Sequence, residues 1–212
     1  MNQNSKIIVA LDGISSAEAL RLAKKLKGRV WGFKVNDLLF SDSKIISKLK
    51  KFGNVFADAK LYDIPNTVSN SVKKLSAEGS DIITVHSSGG VEMMKVAKKS
   101  AGKCKVIAVT LLTSLPGNTN MVLELTGDAI KAGVDGIVCS GGDLKHIDKI
   151  SGSKSLIKIV PGVRPIWHKT NDDQKRKVTP KEAINFGADY LVIGRPITSA
   201  KDPIEALSNL FS

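Results

Sequence analysis

Eight short apolar runs, many of them rich in Val and Ile, divide the chain: "KIIVALD" (6–12), "WGFKVN" (31–36), "NVFADAK" (54–60), "DIITVHS" (81–87), "KVIAVTLL" (105–112), "GIVCSG" (136–141), "LIKIVPG" (156–162) and "YLVIGRP" (190–196). Runs of this length and composition, bounded by turn residues, read as buried strands. Between them, apolar residues recur at helical spacing, as in Ala17, Leu20, Leu22, Ala23 and Leu26, or Val122, Leu125, Ile130 and Ala132. Ser15 and Ser16 are placed to cap the first helix, and Pro203 suits the first turn of the last. Strand followed by helix, eight times over, predicts a parallel sheet closed into a (β/α)8 barrel, with residues 1–212 forming one domain. The alternative is an open doubly wound sheet. It loses its usual support because "LDGISS", after the first run, has one glycine where a dinucleotide fingerprint has three. "HSSGG" and "CSGGD" read as tight turns into helices.

The formal charge of +12 raises the question of a nucleic-acid partner. Its distribution argues against one, because the lysines recur along every predicted helix ("KKLKG", "KLKKFG", "VKKLSAEG", "KVAKKSAGK") like solvated outer faces, with no basic tract interleaved with aromatics. A general positive field that attracts small anions is the better reading. No apolar run is long enough to span a bilayer, so no membrane association is expected. "MNQNSKIIVALD" lacks the pattern of a secretory signal, which points to a cytoplasmic protein. Cys104 and Cys139 lie in apolar runs without metal-ligand spacing and read as small buried hydrophobes.

Chemistry in such barrels sits at the carboxyl ends of the strands. Asp12, Lys34, Asp58, Lys60, His86, Thr113, Arg164 and Arg195 all fall there. Asp58 and Lys60 are two apart on one run, so strict alternation aims them at one face and Ala57, Ala59 and Leu61 at the other. Asp63 follows in "DIPNT", which reads as a turn into a helix: Pro65 restricts Ile64, and Asn66 or Thr67 is placed to cap. Flanking carboxylates favour the ammonium form of Lys60. An ordinary ion pair at the barrel mouth would account for Asp58 and Lys60 alone. Asp12 and Lys34, converging on the same cavity, are harder to explain as scaffold.

Opposite these residues, "VPGVRP" (160–165) and "VIGRPI" (192–197) each end a run with Gly and Arg. Turn amides and an arginine fork suit phosphate, and barrels of this class often hold phosphate after strands seven and eight. The long polar connection "IWHKTNDDQKRKV" is either a lid over that site or a surface loop. His86, His146 and His168 have no partner in a catalytic pattern, and no carboxylate–histidine cluster has metal-site spacing.

On these motifs the chain resembles the orotidine 5′-monophosphate decarboxylase family. "VALD", "GFKV", "FADAKLYDIPNT", "VTLLTS", "VPGVRP", "DDQKRKVTP" and "GADYLVIGRPIT" occur in the order and rough spacing of that family, over nearly the whole chain. The resemblance implies decarboxylation of orotidine 5′-monophosphate to UMP and CO2, in pyrimidine biosynthesis, with no metal and no cofactor. It also implies a homodimer with shared active sites. Asp58, Lys60 and Lys34 would come from one subunit, with Asp63 and Thr67 from the other. Lys60 would protonate C6, Asp12 and Lys34 would hold the ribose hydroxyls, and Thr113 would meet the pyrimidine ring. Gln174, Gly194 and Arg195 would grip the phosphate, with Arg164 beside them. Asn36 and Asp172 stand where the family more often has glycine, which bears on lid geometry in the second case. Two rivals remain at this stage: a magnesium-dependent sugar-phosphate decarboxylase or aldolase of a related barrel, and a basic RNA-binding barrel without turnover.

Overall fold

The computed structural model describes residues 3–168 and 178–212. All eight expected strands form, in order: β1 (Ile7–Ala10), β2 (Gly32–Val35), β3 (Asn54–Leu61), β4 (Ile82–His86), β5 (Lys105–Val109), β6 (Gly136–Val138), β7 (Ile157–Val160) and β8 (Tyr190–Ile193). They pair in parallel, each with its neighbour in sequence, and β1 closes on β8 through Ile8 opposite Val192. The chain is therefore the (β/α)8 barrel that the alternation predicts. Most strands stop two or three residues short of the apolar runs, because the last residues of each run leave the ladder to line the mouth.

Two apolar layers hold the barrel together. Ile8, Ala10, Phe56, Ile82, Ile107, Ile159 and Val192 fill the interior of the sheet, and the outward residues of the strands pack against the helices in a larger core. This is what a parallel sheet covered on both faces requires. The helix Ser16–Leu26 shows the local logic. Ser15 caps it in a reciprocal box with Glu18, while its buried residues Ala19, Leu22, Ala23 and Leu26 face the sheet; Ser16 is the first helical residue rather than a cap. Among the described residues no helix is long and apolar enough to cross a membrane.

The floor of the barrel carries a repeat. Gly79-Ser80-Asp81, Gly133-Val134-Asp135 and Gly187-Ala188-Asp189 occur 54 residues apart, each between a helix and an even-numbered strand. The glycines take positive φ values of 99°, 70° and 98°, which let the helix end and the chain turn back. Each aspartate then accepts the backbone N–H of the second residue of the preceding strand, Val55, Val106 or Lys158, at 2.8 Å. The pairs β3–β4, β5–β6 and β7–β8 are stapled in this way. At the corresponding place before β2 stands Trp31, whose backbone N–H donates to the Ile7 carbonyl at 2.9 Å but which has no carboxylate to accept a second strand N–H.

Candidate active site

A chain of alternating charge crosses the mouth of the barrel over β1, β2 and β3. The Lys34 ammonium donates to both oxygens of Asp12 at 2.8 and 2.7 Å and lies 3.2 Å from Asp58 Oδ2. The Lys60 ammonium donates to that same Oδ2 at 2.5 Å. Lys34 and Asp58 are only 7% and 6% exposed, so each would be costly to hold as a lone ion. Burial alone would lower the Lys34 pKa, but the charges of Asp58 and Asp12 outweigh it and the net shift is upward. For Asp58, burial pushes up, while Lys34 and Lys60 together push further down, so its carboxyl stays below its ordinary range.

The sign of each shift sets its pH window. The Asp58 contribution to stability is present above the unfolded carboxylate value and is lost as pH falls through the folded one; that of Lys34 is present below the unfolded lysine value and lost as pH rises through the folded one. His86 acts between these limits and in the same direction as Asp58. Burial first, and the Lys60 charge second, hold its pKa below the usual 6.5, so the unfolded chain takes up the proton more readily. The melting temperature should therefore fall as the solution is acidified through the mid-6 range, and His86→Gln should flatten that slope. Thermal scans from pH 7.5 to 5.5 on both proteins would check it, and equal slopes would count against it.

The end of β3 departs from simple alternation. Ala57 pairs with Ile83, and the next pair is Leu61 with Val85, so four steps on β3 match two on β4. Lys60 sits in this bulge with φ 46°, the left-handed region, which costs a lysine roughly 1–2 kcal/mol. Bulges re-aim side chains, and this one keeps the Lys60 ammonium on Asp58 although the backbone has left the regular pleat. Three hydrogen bonds hold it. Lys60 N–H donates to Thr84 Oγ1 at 2.9 Å, Thr84 Oγ1 donates to Asp58 Oδ1 at 2.9 Å, and Asn36 Nδ2 donates to the Asp58 carbonyl at 2.7 Å.

The charges line one side of a cavity of 860 Å³, within the roughly 300–1,000 Å³ of ligand pockets. Thr113 and Ser114, from the loop after β5, line it as well. Gly162 and Arg164 after β7, with Gly194 and Arg195 after β8, complete the wall. Negative and positive charges in pairs thus share one pocket with two arginines, in an arrangement suited to a ligand that carries phosphate at one end.

The comparisons with known proteins bear on the family. The model of the "Orotidine 5'-phosphate decarboxylase / HUMPS family" matches residues 5–210. The chain belongs to that family. It is 39% identical to the orotidine 5'-phosphate decarboxylase of Dichelobacter nodosus, over 99% of this chain and 98% of that one. It is 42% identical to the enzyme of that name from Lactococcus lactis, over 76% of each. The crystal structure of orotidine 5'-phosphate decarboxylase from Lactobacillus acidophilus superposes with a TM-score of 0.81 at 33% identity, covering 97% of both chains.

Of the site residues expected from sequence, the cavity gathers Asp12, Lys34, Asp58, Lys60, Thr113, Arg164, Gly194 and Arg195. Asp63 and Thr67 do not line it. Asp63 is exposed and accepts the N–H of Ile64 at 2.7 Å. Thr67 lies in the first turn of the helix Pro65–Ala77, whose N-cap is Ile64, without a side-chain cap. The expectation that Asn66 or Thr67 caps this helix is thus corrected: Pro65, with its preset φ and no N–H to satisfy, opens the helix itself. Gln174 and Asp172 lie outside the described residues. Thr84 and Ser114 were not anticipated. Thr84 had a signal, as the polar residue between Ile82 and His86 on the inward-facing positions of β4.

Proposed function

We propose that the chain decarboxylates orotidine 5′-monophosphate to UMP and CO2, the orotidylate step of pyrimidine biosynthesis, with the whole of 1–212 acting as one catalytic domain. The observation that carries this reading is the Asp12–Lys34–Asp58–Lys60 relay sharing one cavity with Arg164 and Arg195. The C6–carboxylate bond breaks, CO2 leaves, and the electron pair remains on C6. A preformed ammonium beside that carbon stabilises the developing charge without reorganising. Lys60 Nζ then transfers a proton to C6 and recovers one from solvent. Asp58 orients Lys60, and Asp12 with Lys34 holds the ribose hydroxyls. Thr113 meets the ring, while Gly194, Arg195, Arg164 and Gln174 bind phosphate, so binding energy remote from C6 helps assemble the site.

The same proposal includes a homodimer in which Asp63 and Thr67 serve the neighbouring site. Its support is the position of Asp63, next to but not in its own cavity, together with a run of exposed apolar side chains on loops or helix starts at the mouth. Phe40, Tyr62 and Ile64 are 87%, 65% and 67% exposed, and Leu115 and Met121 are also exposed. Apolar patches of this kind mark association surfaces. A partner carboxylate beside Lys60 would also set a negative charge against the substrate carboxylate. Residence in the cytoplasm belongs to the proposal too. Both cysteines are free and buried, which is compatible with a reducing compartment.

The rival reading is a magnesium-dependent sugar-phosphate decarboxylase or aldolase, whereas the reaction as proposed uses only the chain's own groups. Decay of orotidine 5′-monophosphate absorbance with excess chelator present should proceed at the rate seen without it. No turnover at all would sink the proposal. Turnover abolished by the chelator would move the chain to the magnesium-dependent reading.

A further inference from the structure

Proton transfer at C6 needs the Lys60 ammonium in one place, yet Lys60 is the one non-glycine residue with positive φ among those described, and it rides on a bulge. A long flexible side chain on an irregular backbone is poorly placed for reproducible delivery of a proton. Two of the three hydrogen bonds that hold the bulge meet at one hydroxyl. Thr84 is fully buried on β4, where the register with β5 is unbroken from Ile82 opposite Lys105 to His86 opposite Val109. An amide can only donate, so the hydroxyl accepts from Lys60 N–H and gives its single proton to Asp58 Oδ1. That leaves Asp58 Oδ2 for the two ammonium groups.

We propose that Thr84 is a positioning residue for the reaction: it hangs the bulged Lys60 backbone and the Asp58 carboxylate from a rigid strand, so that the proton donor and its orienting acid are held as one unit. The inference rests on the decarboxylase reading. Thr84→Val has nearly the same shape but leaves both an amide and a carboxylate oxygen without that partner. Thr84→Ser keeps the hydroxyl. A misplacement of an ångström can cost about 10²-fold in rate, so Thr84→Val should lower kcat by about 10- to 100-fold, with UMP affinity within about threefold of wild type. Thr84→Ser should recover most of the rate.

A second readout is the acid limb of the kcat–pH profile. Hydrogen bonding to a carboxylate favours its charged form, so losing the Thr84 donor should move that limb to higher pH. The other groups facing Asp58 stay in place: Lys34 on β2, Lys60 on β3, His86 on β4, and Asp12 after β1 through Lys34. Wild-type kinetics, thermal melts and UMP titration would be run alongside. Wild-type kcat and an unmoved acid limb in Thr84→Val would overturn the inference while the decarboxylase reading stood. So would a loss of kcat that Thr84→Ser does not repair, or one matched by an equal loss of UMP affinity. A wild-type protein without turnover would overturn both. If Thr84→Val does not fold, Thr84→Ala, which also lacks the hydroxyl and relieves crowding, decides by the same measurements.

Discussion

Lys60→Ala will lower kcat for orotidine 5′-monophosphate by about 10⁴-fold or more, since a positioned proton donor contributes about 10²–10⁴ and a charge aimed at the developing anion about 10²–10³. The two effects belong to one ammonium and will not simply multiply. UMP should still bind within about threefold of wild type, because most of the groups proposed to hold the nucleotide are untouched: Arg164, Gly194, Arg195, Asp12 and Lys34 all line the cavity. The fold should survive as well. Asp58 keeps Lys34 at 3.2 Å and the Thr84 hydroxyl at 2.9 Å, so removing Lys60 leaves no buried carboxylate without compensation. Single-turnover kinetics together with a UMP titration separate the two quantities. A variant that decarboxylates at near the wild-type rate would refute the role of Lys60, and one that also fails to bind UMP would point to a collapsed site instead.

Mixing two inactive variants should restore activity. If Asp63 serves the partner's site, a heterodimer of Lys60→Ala and Asp63→Ala subunits contains one site with both residues intact and one with neither. Random exchange makes about half the dimers mixed, each with one good site of two, so recovery should approach about one quarter of wild-type activity. Each variant alone should stay near background. The measurement is specific activity after subunits have been unfolded and refolded together, with mixed dimers identified by a mass tag on one variant. Inactivity in mixed dimers demonstrated this way would place Asp63 back in its own subunit or outside the chemistry.

How much of this was legible in the sequence depended on how local the determining physics is. Strand order and barrel closure followed from the spacing of Val- and Ile-rich runs, since burying such runs on both faces leaves few architectures. The relay of Asp12, Lys34, Asp58 and Lys60 could be anticipated because each occupies a strand end, and strand ends in a barrel converge. The bulge could not. Left-handed φ has a sequence signature when the residue is glycine or asparagine, and a lysine gives none. Thr84 was hidden for a related reason. Its inward direction follows from alternation with Ile82 and His86, but its two partners exist only through the slipped β3–β4 register. Asn36, noted as a departure from the family's usual glycine, gains a role once its side chain is seen to donate to the Asp58 carbonyl. Asp63 is legible from spacing as a charge near the site, and its membership of a neighbouring subunit's site rests on the family resemblance and on the proposed dimer.

Closure of β1 on β8 also bears on how the protein comes into being. The staples of Asp81, Asp135 and Asp189 let three strand pairs lock soon after each emerges during synthesis, since both members of a pair are near in sequence. The pair β1–β2 has no staple, and β1 must wait for Tyr190–Ile193 before its free edge is covered. Contacts of such long sequence separation form late. The residues that follow β8 are Gly194 and Arg195, proposed to hold phosphate, and Gly194 comes beside Ala10 only when the seam shuts. On the proposed roles, a nascent or truncated chain has Lys60 before it has Gly194 and Arg195, and activity should arrive in a single step as the last strand docks.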